Sequence, residues 1–382
     1  MTLTADPRID AVAGILPTIA ARASEIEAAR RLPLDLLDEL VGAGCFGVVL
    51  PVSHGGRGGD LPAALNLFES VAVADGSAGW TVMIGASAWC DVASLPRATF
   101  DSLYAGRDRT ILAGAFNPMG ASITPGEGGY RVTGRWSFAS GCEHADWLFG
   151  NCIEGFADGG PKFRAAVFSP DQVTIEDTWH VSGLCGTGSH HFSVDDLFVP
   201  AERTFVPMVD HPALDEPIVR VAPPVVFGLG IASVAIGIAR GAIEEIVALA
   251  TGKVPLLARE PLAANSMFQR EFAAADTDLR AARLLLQEVA GEVWLAAVAG
   301  EPLTLEQRAR TRSAAVWVVE RAVAIVETAY RNGGGSSLYL ESPLQRRLRD
   351  IHAVSQHFLV KRDTLTTAGA ILAGQEVQLT VF

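Results

Sequence analysis

The spacing of apolar and polar positions changes period twice along this chain. From residue 8 to about 110 the period is helical. Ile9, Val12, Ile15, Leu16 and Ile19 recur at near-helical intervals, with Arg22, Glu25, Glu27 and Arg30 alongside. Pro33 suits the opening of a helix, and PLDLLDELVGAG predicts one that Gly44 closes. A glycine-rich loop, LPVSHGGRGGD, follows. The long apolar run LPAALNLFESVAVADGSAGWTVMIGASA comes next, and Gly76 and Gly79 should break it near its middle.

Between residues 111 and 210 the period shortens. GGYRVTGRWSFASG sets Tyr130, Val132 and Thr133 before a glycine-containing turn and Trp136 and Phe138 after it, which predicts a hairpin. WLFGNCI, RAAVFSP and HHFSVDDLFVP repeat the style, so a small antiparallel sheet domain is expected. Beyond 211 the helical period returns in four Ala-rich runs, FGLGIASVAIGIARGAIEEIVALA, FQREFAAADTDLRAARLLLQEVAGEVWLAAVA, TLEQRARTRSAAVWVVERAVAIVETAYR and PLQRRLRDIHAVSQHFLVKRDTLTTAGAILA. These predict a four-helix bundle. The expected fold class is mainly α with a β-domain: an N-terminal helical domain (1–110), a β-domain (111–210) and a C-terminal four-helix bundle (211–382).

Composition narrows the function classes. With 49% hydrophobic and 19% charged residues over 382 positions, the chain is not disordered. A formal net charge of −13 argues against nucleic acid or an anionic membrane as partner. Cys45, Cys90, Cys142, Cys152 and Cys185 lie far apart, which suggests reduced thiols in a cytoplasmic protein and no metal site. No signal peptide is read at the N-terminus. The 19 uncharged residues between Arg220 and Arg240 approach bilayer length, but Pro223, Pro224 and three glycines fall within them. A helix buried in the bundle explains the stretch better than a membrane span. The extent of apolar helical surface implies a homotetramer, or at least a homodimer.

Generic catalytic patterns are missing. There is no GxSxG elbow, Walker A loop or HExxH, and HGGRGGD (His54–Asp60) does not follow a strand that opens a βαβ unit. Three longer segments carry more. GGYRVTGRWSFASGCEHADW, WHVSGLCGTGSHHFSVDDLFVP and GGGSSLYLESPLQRRLRDIHAVSQH, in that order and spacing, give the chain a resemblance to the acyl-CoA dehydrogenase superfamily over roughly residues 8–375. More narrowly it resembles the two-component flavin-dependent monooxygenases of that fold, the 4-hydroxyphenylacetate hydroxylase oxygenase components among them.

The resemblance implies reduced FMN or FAD supplied by a separate reductase, and hydroxylation of an aromatic or amine small molecule through a C4a-hydroperoxyflavin. It implies that Phe138-Ala139-Ser140 occupies the step where dehydrogenase relatives carry Trp-Ile-Thr, with Ser140 hydrogen-bonding near flavin N5. His144 matches a histidine near the aromatic substrate. Asn117, Thr187, Ser189 and Arg259 match cofactor contacts, the hydroxyls of Thr187 and Ser189 as phosphate or ring contacts, and Arg259 toward a neighbouring subunit. In many dehydrogenases a catalytic Glu stands eight residues past an Arg-Asp pair. Here Arg349-Asp350 leads to Phe358, which cannot take a proton, and His357 precedes it. His357 matches the monooxygenase histidine, expected to orient or deprotonate the substrate. The alternative is a flavin-dependent acyl-CoA dehydrogenase with its base elsewhere.

Overall fold

The computed structural model describes residues 7–105, 110–118, 120–157 and 160–377. Helices come first: α1 (Pro7–Ala21), α2 (Ala23–Ala29), α3 (Leu34–Gly42), α4 (Leu61–Ala74), α5 (Gly76–Ser87), α6 (Trp89–Val92) and α7 (Arg97–Tyr104). The glycine-rich loop before α4 spends its amides internally. Arg57, Gly58 and Gly59 donate to the carbonyls of Gly47, Leu50 and Val48 at 2.8–2.9 Å, so they are not free to cradle a phosphate. The apolar run does break near its middle, but at Asp75. Its extended backbone ends α4, and its carboxylate accepts the Ala78 N–H at 2.9 Å to start α5. Gly76 and Gly79 lie inside α5.

The sheet contains β1 (Leu112–Ala115), β2 (Ala121–Gly126), β3 (Gly129–Trp136), β4 (Trp147–Ala157), β5 (Gly160–Phe168), β6 (Thr174–Glu176), β7 (His191–Pro200) and β8 (Thr204–Phe205). Its order is β6-β7-β3-β2-β4-β5-β8, with β1 also on β4. It is not wholly antiparallel, because β1 and β2 both pair with β4 in parallel. The expected turn at Gly134 is not one either. Residues 129–136 are a single strand, and the hairpin closes at Glu127-Gly128. Gly134 is glycine for a packing reason: a Cβ there would come within 2.6 Å of the Ala121 methyl and 2.8 Å of the Trp136 ring. Trp136 stacks on Phe192 (4.8 Å) and anchors the sheet's own core with Phe168.

The bundle consists of α8 (Pro223–Gly252), α9 (Ser266–Ala299), α10 (Leu305–Gly333), α11 (Pro343–Val354) and α12 (Asp363–Leu372). Local chemistry sets its ends. Asn265 caps α9, Gly300 at φ 72° closes it, and Thr304 with Gln307 forms a capping box on α10. By length and composition α8 could cross a membrane, but 94% of its most apolar stretch is buried inside the protein. It packs against α4, α5, α9, α10 and α11. The buried Glu69 on α4 meets Arg283 (2.8 Å) and Arg240 (3.4 Å) from the bundle. The fourth expected bundle helix is in two pieces, α11 and α12, and His357 lies in the break between them.

Candidate active site

β3 delivers the chain to a tight turn at residues 137–141. Phe138 sits there at φ +66°, a left-handed conformation that costs a bulky side chain energy, yet its ring is 68% exposed. Trp179 and His191 flank it edge-on at 6.2 and 6.4 Å. Backbone bonds from Ala139 N–H to His190 O (3.1 Å) and from Gly141 N–H to Thr187 O (2.8 Å) pin the turn to segment 184–190.

That segment is clamped in turn. Asp350 on α11 accepts the Leu184 N–H at 2.7 Å, and Ser77 on α5 accepts the Gly186 N–H at 3.1 Å. Gly183 lies so close that a Cβ would come 2.1 Å from the Arg349 carbonyl oxygen. Burial, with Asp75 nearby, pushes the Asp350 carboxyl up to about 7.

Between turn and segment runs a chain of buried hydroxyls. Trp80 Nε1 on α5 donates to Ser140 Oγ at 3.0 Å. Ser140 Oγ is 2.7 Å from Ser189 Oγ, and Ser189 Oγ is 2.7 Å from Thr187 Oγ1. Thr187 Oγ1 donates to Leu184 O at 2.8 Å. The ring of Trp80 meets His357 edge-on, centroids 5.7 Å apart. One indole therefore touches both the β-domain serine and the bundle histidine.

His357 is not on a helix. α11 ends at Val354, and His357 N-caps a short 3-10 turn by accepting the Leu359 N–H at Nδ1 (3.3 Å). Burial pushes its imidazole down to about 4, so it is neutral at pH 7. With Nδ1 accepting, the neutral ring carries its proton on Nε2. Phe358 stacks on it at 4.9 Å. A small cavity that Leu359 of this turn helps to line is otherwise bounded by α8 (Val225, Gly228, Leu229) and α10 (Thr311, Arg312, Ala315).

Comparison with known proteins is decisive at this point. Residues 15–94 match the acyl-CoA dehydrogenase N-terminal domain model, and residues 229–362 match the acyl-CoA dehydrogenase C-terminal domain model. An indole-3-acetate monooxygenase of Pseudomonas putida is 32% identical over 93% of this chain and 91% of its own. The chain belongs to the flavin-dependent monooxygenases of the acyl-CoA dehydrogenase superfamily. The oxygenase subunit HsaA of Rhodococcus jostii, a flavin-dependent monooxygenase, is likewise 32% identical, over 92% of this chain and 93% of its own. XiaF from Streptomyces sp., solved with FADH2 and glycerol, has the same fold: TM-score 0.91, 22% identity, 97% and 96% coverage. This monooxygenase is accordingly a flavin-dependent oxidoreductase that acts as an oxygenase component.

Within the monooxygenase, the expected site residues separate into groups. Ser140 and His357 meet at Trp80, Ser189 and Thr187 line up behind Ser140, and Phe138 stands two residues before Ser140 on the same turn with its ring beside Trp179 and His191. Thr187 and Ser189 are only 2% and 3% exposed, so they stand behind Ser140 and not at the surface as phosphate contacts. His144 is buried in the 3-10 turn after Ser140. Asn117 is exposed on the loop after β1. Arg259 is not brought to this site. Ile238 of α8 packs at Gly76, and α8 runs on to Gly252, about 21 Å further at 1.5 Å per residue, before the exposed loop that carries Arg259. His352, on α11, pairs with Glu327 at 3.3 Å. The carboxylates of α8 are committed too, Glu244 to Arg240 (3.0 Å) and Glu245 to Arg347 (2.7 Å).

Asp350 is the contributor that sequence reasoning missed; for Trp80, a place at the edge of the pocket was legible beside the core reading, but not its bond to Ser140. An aromatic in an apolar helix reads as core, and Trp80 is 6% exposed. Its indole N–H partner is 60 positions away and gives no local signal.

Proposed function

We propose that this monooxygenase hydroxylates a flat aromatic small molecule bound between the 137–141 turn and His357, using reduced flavin from a separate reductase. The observation that carries the reading is Trp80, which joins Ser140 and His357 into one site. The residues suit a flavin. Phe138 offers an exposed ring held in a strained backbone, Ser140 a hydroxyl oxygen, and His357 an N–H. Reduced flavin, when bound, supplies the electrons that activate dioxygen for transfer of one oxygen atom. Phe138 would wall one side of a bound flavin, Ser140 Oγ would accept a hydrogen bond at its N5 edge, and His144, in the next turn of the chain, would border the substrate. His357 donates from Nε2 to an oxygen of the substrate and orients it. Since Nε2 already holds the proton, it directs and does not deprotonate. Aromatic substrates in the names of curated relatives, such as indole-3-acetate, support this class.

The active form is a homotetramer in the cytoplasm. Leu256, Leu257, Leu338, Tyr339 and Leu340 are each at least 69% exposed on two loops that Lys253 ties together through Gly333 and Ser336. Arg259 lies in the first of these loops and reaches the flavin of a neighbouring copy. Light scattering at micromolar concentration tests the assembly, and a stable monomer overturns it.

The functional test supplies anaerobically reduced FMN or FAD, oxygen and a panel of indoles and phenols. Oxygen-18 from O2 in a hydroxylated product is expected. Bleaching of bound oxidised flavin by an acyl-CoA, with no oxygen incorporation into any panel member, overturns the reading.

A further inference from the structure

The hydroxyl chain behind Ser140 has a direction that proton counting fixes. Two oxygens 2.7–2.8 Å apart need a proton between them. Three such contacts occur in series: Ser140 to Ser189, Ser189 to Thr187, and Thr187 to the Leu184 carbonyl. Ser140, Ser189 and Thr187 bring one hydroxyl proton each. The carbonyl has none, so Thr187 donates to it. Ser189 then donates to Thr187, and Ser140 donates to Ser189. The indole N–H of Trp80 can only donate, and it fills one lone pair of Ser140 Oγ. What Ser140 has left is one lone pair and no proton.

We propose that Ser189 and Thr187 are positioning residues that hold Ser140 as a pure hydrogen-bond acceptor and so make the site select the redox state of its flavin. The proposal rests on the reading above that Ser140 faces flavin N5. Reduced flavin carries a proton on N5 and satisfies the free lone pair. Oxidised flavin presents a lone pair at N5, and two lone pairs face each other with no proton between them. The relay thus favours the form that a reductase delivers and helps release the oxidised form after turnover. Its anchor is the Leu184 carbonyl, and Asp350 and Ser77 hold that segment in place.

The test is a pair of dissociation constants, for reduced flavin by anaerobic titration and for oxidised flavin by fluorescence quenching. Both are measured on the full chain without substrate or turnover. Ser189→Ala frees the Ser140 proton to donate. Thr187→Val, nearly isosteric, lets Ser189 turn its proton toward Ser140 and frees the Ser140 proton in the same way. In both variants the preference for reduced over oxidised flavin is expected to shrink about 5- to 10-fold, the size of one neutral hydrogen bond. Oxidised flavin should bind more tightly. A tenfold change is about 30 mV for a two-electron couple. Trp80→Phe removes a donor but leaves the direction of the relay intact, so the preference should persist. General loosening of the site would weaken both redox forms together and would not narrow their ratio. If Ser140→Ala weakens reduced flavin but Ser189→Ala and Thr187→Val leave the ratio unchanged, the relay is wrong and the Ser140 contact stands. If Ser140→Ala changes neither affinity, Ser140 does not face the flavin and both readings fall.

Discussion

The two walls of the site solve the same problem in opposite ways. On the β-domain wall, the proposed relay draws the Ser140 proton inward to Ser189, so that Ser140 faces the site as an acceptor. On the helical wall, His357 has its Nδ1 filled from behind by the Leu359 N–H, and it faces the site as a donor. Each residue type is ambivalent, since a serine or a histidine can give or take. In both cases a partner behind the side chain removes the ambiguity. The difference shows that a site's polarity is set one layer away from the atoms that touch the ligand.

The largest expected effect comes from removing the donor on the helical wall. His357→Ala should lower product formation about 10²-fold, as loss of one well-placed donor does, with reduced-flavin affinity nearly unchanged. His357→Asn, which keeps an N–H donor, should recover part of this. The deficit should be flat between pH 6 and 9, because the imidazole titrates near 4. A deficit that changes tenfold across that range in single-turnover assays would make His357 a base and end the contrast between the walls.

On the β-domain wall, Phe138→Gly tests whether the left-handed backbone serves the ring. Glycine relieves the strain, worth about 1–2 kcal/mol, and loses about 0.5–1 kcal/mol to chain entropy. Stability should hold or rise slightly while flavin affinity falls about fivefold. A stability loss with unchanged affinity, from thermal unfolding and titration, would make Phe138 an ordinary packing residue.

The smallest effect concerns what lies behind both walls. Asp350 has its folded pKa raised to about 7, so the stability it contributes is present at low pH and lost as pH rises through 7. His357, depressed to about 4, acts in the other sense: its contribution is present above pH 6.5 and lost as pH falls toward 4. Asp350→Asn keeps an acceptor for the Leu184 N–H and removes the titration. Its unfolding temperature should exceed that of the unaltered chain at pH 8 by about 1–3 °C, and the gap should shrink steadily as pH falls from 7 toward 4. A gap that does not change with pH would mean that Asp350 does not titrate in this range.

Legibility differed between the walls as well. Ser140 and His357 were visible because each sits in a motif that resembles a known family. The direction each would face the ligand was not visible. A helical period continues through IHAVSQHF, yet α11 stops at Val354 and His357 lies in the break. The resemblance marked Thr187 and Ser189 as cofactor contacts, but the burial of their segment against Ile26 and Ser77 around Gly186 does not show in the string. The sheet was legible as short strands, but not the parallel pairing of β1 and β2 with β4, which joins residues 35 and 31 positions apart.

The sequence alone determined what interactions within a turn or two can decide. The helical and extended zones are of this kind, as are the Asn265 cap, the Thr304–Gln307 capping box and the glycine stop at Gly300. So is the absence of a carboxylate at Phe358, because chemistry cannot be read into a side chain that lacks it. Tertiary structure decided the rest: the burial of His357 in the break after α11, the near-neutral pKa of Asp350, and the chain of hydroxyls from Ser140 to Leu184. The Ser140–Ser189 and Asp350–Leu184 contacts join atoms about 3 Å apart but 49 and 166 residues distant along the chain, and the shifts of Asp350 and His357 depend on the exclusion of water around them. Distance along a sequence carries no information about either.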